Sequence, residues 1–89
     1  METDNRIDVL KTLSVFNCIL DHGLKDGHGH YSYSGVYAEH SHDGYNISLY
    51  DSSVRLDVMF HNTYQVKYEQ KNQLNTFLNK LDHIYQKHH

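Results

Sequence analysis

Histidine is the residue type with the most evident capacity for chemistry in this chain, since nine of the 89 residues are histidines. A neutral imidazole binds transition metals, and imidazole titrates close to neutral pH. There are two His-x-His pairs, His28 with His30 and His40 with His42. Residues two apart on a strand point to the same face, so each pair offers two neighbouring nitrogens. Asp43 follows the second pair and adds a carboxylate.

The spacing of these pairs does not complete a metal site. About ten residues of strand, at ~3.3 Å per residue, separate the two pairs by more than one coordination sphere. Structural zinc usually takes four protein ligands and catalytic zinc three, and the second pair offers only His40, His42 and Asp43. We therefore expect solvated histidines and no cofactor. These three residues are the candidate ligands if a metal does bind.

The single cysteine, Cys18, forms no internal disulfide. Cys18 and His22 are four residues apart on a predicted helix, which allows a thiol–imidazole contact. A catalytic cysteine needs access and a lowered pKa, conditions that helix N-termini favour and apolar helix interiors do not. We expect a packed thiol, no catalytic residue and no enzymatic activity.

Tyrosine is also abundant, with eight residues, and aromatic rings on a sheet can stack on single-stranded RNA. The predicted outer face of the sheet carries Tyr50 but only Arg55 and Lys67 as cations. With a net charge of −3, the chain has no basic surplus for phosphate binding. We expect no nucleic-acid partner and no small-molecule ligand, and we interpret the rings as packing around a thin core.

A first helix is predicted from Asn5 to His22, with Thr3 or Asp4 as N-cap and Gly23 at its C-terminal end. Apolar residues surround most of this helix, which is typical of burial on more than one side. The extra apolar surface is covered either by the second helix or by a partner chain. The residues outside the main apolar arc form the predicted interaction surface of a homodimer: Ile7, Val15, Cys18 and Ile19.

Four strands are predicted between the helices. The first covers about residues 30–40 and changes face at Gly35, which indicates a bulge or a bend. An Asp43-Gly44 turn then leads to a second strand over residues 45–50. A four-residue turn at 50–53 follows it.

The third strand begins at Val54, because apolar and polar residues alternate from there to His61 as in a half-buried strand. A three-residue loop at 61–63 closes a hairpin with the fourth strand. On the outer face this register places Asp57 opposite Lys67. On the inner face it pairs Phe60 with Tyr64, Val58 with Val66 and Leu56 with Tyr68.

A second helix, apolar on one side only, is predicted over residues 69–87. The order α-β-β-β-β-α predicts a two-layer α+β domain: a four-stranded antiparallel meander with both helices packed on one face. A chain of 89 residues makes a single domain, 1–89, with a thin core. The polar N-terminus lacks a signal-peptide layout and no apolar run reaches the ~20 residues of a membrane span, so we expect a soluble cytoplasmic protein without membrane contact.

Four short segments carry a family resemblance: Leu13-Ser14-Val15-Phe16, Asp43-Gly44-Tyr45, Val58-Met59-Phe60-His61-Asn62-Thr63-Tyr64 and Phe77-Leu78-Asn79-Lys80-Leu81. Their features are turns, core alternation and a helix seam. Together they resemble a family of short uncharacterised gammaproteobacterial proteins. The resemblance implies a cytoplasmic bacterial domain of unknown function, and it implies no activity and no site residue.

These observations favour a non-enzymatic protein-interaction module that self-associates as a homodimer or binds an unknown protein partner. Self-association is favoured because a thin core gains stability from a partner. The alternative is a histidine-based protein that binds metal or responds to pH. An enzyme ranks third.

Overall fold

The structure of the chain, a computed structural model, describes residues 8–40, 46–59 and 63–88. The strands form one antiparallel sheet in chain order, so the predicted α+β class is confirmed. Within these described residues the sheet has six strands, where four were predicted for the chain. The elements are α1 Val9–His22, β1 Leu24–Lys25, β2 Tyr31–Tyr33, β3 Val36–His40, β4 Ile47–Tyr50, β5 Arg55–Met59, β6 Thr63–Lys67 and α2 Lys71–Lys87.

Helix α1 begins later than predicted, because Asp8 is its N-cap. An oxygen of the Asp8 carboxylate accepts hydrogen bonds from the backbone N–H groups of Leu10, at 2.9 Å, and Lys11, at 3.2 Å. A carboxylate at this position satisfies N–H groups that lack a partner within the helix and compensates the positive end of the helix dipole. The predicted caps, Thr3 and Asp4, lie outside the described residues.

Gly23 ends α1, as predicted, and it also lets strand β2 approach the helix. Its N–H donates to the carbonyl oxygen of Ile19 at 2.8 Å. A Cβ on Gly23 would lie 2.5 Å from that oxygen and 2.6 Å from the carbonyl oxygen of Ser32. Only glycine avoids both clashes, so this position fixes the end of α1 against β2.

The first predicted strand, residues 30–40, is in fact a hairpin, so a full chain reversal stands where a bulge or a bend was predicted. Ser34 and Gly35 both have positive φ, 51° and 81°, which is the left-handed conformation of a tight two-residue hairpin turn. The chain reverses at this turn, so odd-numbered residues before it and even-numbered residues after it come to the same face. The register aligns Tyr33 with Val36, Ser32 with Tyr37 and Tyr31 with Ala38.

The hairpin of β5 and β6 exists, but its register differs from the prediction by two residues. Leu56 pairs with Val66, and Val58 pairs with Tyr64. Because side chains alternate with a period of two, this shift leaves every residue on its predicted face. Thr63 belongs to β6 rather than to the loop, and Phe60 lies outside the described residues.

The two-residue shift changes the neighbours on the outer face. Lys67 lies opposite Arg55, and Asp57 lies opposite Gln65. The predicted pair of Asp57 with Lys67 is therefore wrong. The hydrophobic alternation does not resolve such a shift, because it specifies the face of a residue and not its cross-strand partner.

One hydrophobic cluster joins both helices to the sheet. Helix α2 contributes an apolar stripe at helical spacing, which agrees with its predicted one-sided character. Two ion pairs add to this packing, since Lys11 binds Asp82 between the helices and Lys80 binds Asp51 in the β4–β5 turn at 3.1 Å. The buried members of the cluster are Val15, Phe16, Ile19, Val36, Ala38, Leu49, Val54, Leu56, Val66, Leu74, Phe77, Leu81 and Ile84.

Leu56 and Leu24 offer a matched test of this core, since Leu56 is 0% exposed and Leu24 is 79% exposed. We expect Leu56→Ala to lower the free energy of unfolding by about 2–5 kcal/mol, through lost burial and a residual cavity. Leu24→Ala removes the same atoms from a solvated site and should cost under about 0.5 kcal/mol. Urea unfolding measures both, and similar costs would contradict the assignment of the two faces.

Candidate functional site on the outer face of the sheet

The face of the sheet that turns away from the hydrophobic cluster carries two cross-strand rows of side chains. Directly opposite residues of antiparallel strands project to the same face, so the registers define each row. We call the two rows together the outer face. The aromatic row is Leu24, Ser32, Tyr37, Tyr50, Arg55 and Lys67. The charged row, which Asp26 and His30 extend beyond β1 and β2, is Asp26, His30, Glu39, Ser48, Asp57 and Gln65.

Arg55 connects the two rows. Its guanidinium donates from Nη2 to Glu39 Oε1 at 2.7 Å and from Nε to Asp57 Oδ1 at 3.1 Å. Nη2 also lies 3.1 Å from the Ser48 Oγ, which donates to Asp57 Oδ1 at 2.5 Å. The hydrogen bond to Glu39, with the charge of Asp57, raises the pKa of Arg55 above its ordinary value. One cation thus compensates two half-buried carboxylates.

His30 extends this network towards β1. Its Nε2 lies 2.9 Å from Glu39 Oε2, and its Nδ1 lies 3.8 Å from Asp26 Oδ2 and 3.5 Å from the Tyr50 hydroxyl. Asp26 Oδ1 accepts from the backbone N–H groups of His30 and His28, which lower the pKa of Asp26. The two histidines of this predicted pair therefore contribute different groups. His30 contributes its ring to the network, and His28 contributes its backbone N–H to the turn.

The aromatic row is ordered by stacking. The rings of Tyr37 and Tyr50 lie 5.5 Å apart at an angle of 20°, and the Arg55 guanidinium lies 5.2 Å from the centre of the Tyr50 ring. Partial burial, with the nearby charge of Glu39, raises the pKa of Tyr50. Tyr50 is therefore a stacking and hydrogen-bonding group at neutral pH rather than a nucleophile.

Two apolar side chains of the aromatic row are exposed, Leu24 at 79% and Tyr37 at 46%. At the opposite end of the row, a groove of about 410 Å³ begins at Tyr50, Arg55 and Lys67 and extends around the β4–β5 turn. The row thus has an apolar projection at its β1 end and, at its β6 end, a groove lined by Arg55 and Lys67 together with Asp51 and Glu69.

A second group of titratable side chains lies where the two helices end. The rings of His22 and His88 stack 4.3 Å apart at 11°, and the Tyr33 hydroxyl lies 2.8 Å from His88 Nε2. The Lys87 ammonium lies 5.7 Å from the centre of the Tyr33 ring. Desolvation, with the charges of His22 and Lys87, lowers the pKa of His88. Parallel stacked rings direct their nitrogens side by side, so the pair does not converge on one metal ion.

The predicted metal ligands lie only partly within the described residues. His40 ends β3, whereas His42 and Asp43 fall outside the described ranges, so this ligand set stays a prediction. Across residues 8–40, 46–59 and 63–88, no three His, Cys, Asp or Glu side chains lie close enough to hold a metal ion.

The predicted interaction surface on α1 is largely internal. Val15 and Ile19 are 0% exposed and belong to the hydrophobic cluster of one chain, and Cys18 is partly buried against that cluster. Ile7 lies outside the described residues. The exposed leucine of α1 is instead Leu10, at 71%. Self-association itself stays a prediction.

The aromatic row has no signal in the local sequence pattern, because that row exists only once the chain reverses at Ser34 and Gly35. In the sequence, Leu24 belongs to a glycine-rich connector, and Tyr37 belongs to a long predicted strand. The dipeptide Ser34-Gly35 was the one local signal for the hairpin, since small residues suit tight turns.

The fold and the outer face define a small α+β domain with one open antiparallel sheet and an ordered group of tyrosine and arginine side chains on it. Residues 7–89 match the family described as Protein of unknown function (DUF3081), and the chain belongs to this family. The resemblance to a family of unknown function is thereby confirmed. No curated protein and no solved structure matches the chain.

Among the helices that the structure describes, neither is long and apolar enough to cross a membrane.

Arg55 and Lys67, neighbours across β5 and β6, allow a comparison of the networked cation with an exposed one. Arg55→Met leaves Glu39 and Asp57 without their shared cation, and we expect a loss of about 1–2 kcal/mol in the free energy of unfolding. Lys67→Met should cost under about 0.5 kcal/mol. Urea unfolding at neutral pH measures both, and a larger loss for Lys67→Met would contradict the network.

The His22–His88 stack predicts a pH dependence with a definite sign. Because the folded state lowers the pKa of His88, the unfolded chain takes up a proton first. The contribution of neutral His88 to the free energy of unfolding is therefore complete above the unfolded pKa of ~6.5 and decreases as the pH falls below it. NMR titration of the imidazole protons should place the His88 midpoint below ~6.5. His22→Phe keeps a stacked ring without its charge and should raise that midpoint, whereas an unchanged midpoint would contradict the coupling.

Proposed function

We propose that this domain is a non-enzymatic protein-interaction module that binds its partner through the outer face. In this proposal both helices cover the opposite face of the sheet, and the protein works in the bacterial cytoplasm. The observation that carries the proposal is the exposure of Leu24 and Tyr37 in one cross-strand row.

The composition of the aromatic row supports recognition of a protein. Tyrosine and arginine are enriched where partner proteins are bound most tightly, and an exposed leucine gains from being covered. Tyr37, Tyr50 and Arg55 are already stacked in the free chain. Binding therefore costs little side-chain entropy at these positions, because the rings are ordered beforehand.

The charges of the outer face support a protein partner over a nucleic acid. Arg55 is held between Glu39 and Asp57, so its charge is compensated within the chain. Phosphate binding needs several uncompensated cations, and the outer face offers Lys67 beside three carboxylates. A polar, internally satisfied rim around exposed apolar side chains is instead typical of protein interfaces.

The second candidate function is a pH-responsive binding protein, and the His22–His88 stack is the observation that favours it. Two imidazoles at 4.3 Å lose their favourable stacking when both carry a charge. The NMR titration of His88 described above tests this candidate.

Photo-crosslinking in bacterial cells tests the proposal, with the photoreactive residue benzoylphenylalanine placed at Leu24 or at Leu10. These two leucines are similarly exposed, at 79% and 71%, but only Leu24 lies on the outer face. We expect a discrete adduct from position 24, its loss when Tyr37→Lys is added, and no adduct from position 10. An adduct from position 10 alone, equal adducts from both positions, or none from position 24 would overturn the proposal.

A further inference from the structure

We propose that the partner at the outer face is a second copy of this chain, packed face to face about a twofold axis that runs parallel to the strands. This inference rests on the proposed function and specifies its partner. It follows from three properties of the outer face: where its apolar projection lies, where its groove lies, and where its charges lie.

The twofold axis determines which strands meet. Face-to-face sheets pack about 10 Å apart, and neighbouring strands are about 4.8 Å apart within a sheet. An axis parallel to the strands, placed between β3 and β4, lays the β1 end of one copy over the β6 end of the other. Tyr37 of each copy then faces Tyr50 of the other, which brings the two stacked pairs into one aromatic centre.

The apolar projection and the groove complement each other under this operation. Leu24 projects at the β1 end, where it is 79% exposed, and the groove of about 410 Å³ lies at the β6 end beside Tyr50 and Lys67. The axis places each Leu24 over Lys67 of the other copy, at the edge of its groove. A contact of this kind is made twice, as a closed dimer with identical patches requires.

The charges of the outer face also differ between its two ends. Lys67 is an exposed cation at the β6 end, and Asp26, with its side chain 51% exposed, is a carboxylate at the β1 end. The axis preserves the position of each residue along the strands, so each Asp26 lies over Gln65 of the second copy, about 7 Å along the strand from Lys67 and within reach of its long side chain. An axis perpendicular to the strands would bring the two Lys67 ends together instead, and like charges in contact oppose association.

These complementary features within one face favour a second copy over an unrelated protein. A different partner would need only the projection or only the groove, whereas this face carries both at opposite ends, with Asp26 at one end and Lys67 at the other. The face is narrow, since six strands span about 25 Å. Interfaces that bury less than about 1,200 Å² are weak, so we expect a reversible dimer with a Kd on the order of micromolar.

Sedimentation velocity of the purified full-length chain, from low to high micromolar concentration, tests the inference. We expect a reversible monomer–dimer equilibrium. Leu24→Lys removes the projection and places a cation over Lys67, so we expect the dimer to weaken about tenfold or more. Leu10→Lys makes the same change on α1 and should leave the equilibrium unchanged.

A charge exchange makes the test specific to the proposed axis. Lys67→Glu alone should weaken the dimer about threefold to tenfold, because its carboxylate approaches the second copy's Asp26. Lys67→Glu combined with Leu24→Lys restores opposite charges across the interface, and the double variant should associate more tightly than Leu24→Lys alone. Circular dichroism and urea unfolding of each variant show whether the monomer remains folded.

The outcomes separate this inference from the proposed function. A wild-type chain that stays monomeric at high micromolar concentration overturns the inference, and crosslinking at position 24 to a different protein would then leave the proposed function standing. A dimer that Leu10→Lys disrupts, and that Leu24→Lys does not, overturns both. A dimer weakened by Leu24→Lys but not improved by the added Lys67→Glu retains the surface and overturns the axis.

Discussion

The turn at Ser34 and Gly35 is the backbone constraint on which the rest of the sheet depends. Both residues have positive φ, which brings β2 back alongside β3. β1 in turn pairs with β2 and extends the sheet beyond the core strands. With a continuous strand over the same residues, Ser32 would not lie beside Tyr37 with Leu24 beyond it, and the aromatic row would not exist.

The hydrophobic cluster packs one face of the sheet against the helices, and the polar side chains of the sheet lie on the outer face. A sheet with helices against it needs apolar residues on one face only, so the other face is available for polar side chains. Glu39 and Asp57 are half-buried there, and Arg55 compensates both. This arrangement keeps carboxylates at the centre of a sheet without an uncompensated charge, because each has a hydrogen-bonded cation.

The charged row and the His22–His88 stack differ in what they contribute. The side chains of the charged row, together with Arg55, link the residue before β2 to strands β3, β4 and β5 through hydrogen bonds and ion pairs. The His22–His88 stack joins the ends of two helices and is sensitive to protonation. The first group thus supports the aromatic row through Arg55, whereas the second lies where the two helices end and where desolvation lowers the pKa of His88.

The sequence by itself determined the α+β class, the second helix and the face of each core strand residue, because helical and strand periodicities are local. For example, the alternation at Val54, Leu56 and Val58 was sufficient to assign the buried face of β5. Tertiary structure alone decided the partners across the strands. A register shift by two residues preserves every face but moves Lys67 from Asp57 to Arg55.

Tertiary structure also decided which surfaces cover the apolar residues of α1. Its sequence is apolar on most sides, which is compatible with a partner chain or with a deep place in the core. Val15 and Ile19 are buried within one chain because both α2 and the sheet pack against them. The exposed apolar surface lies instead at Leu24 and Tyr37, in segments whose local patterns carry no such signal, since their alignment arises only when distant strands pair.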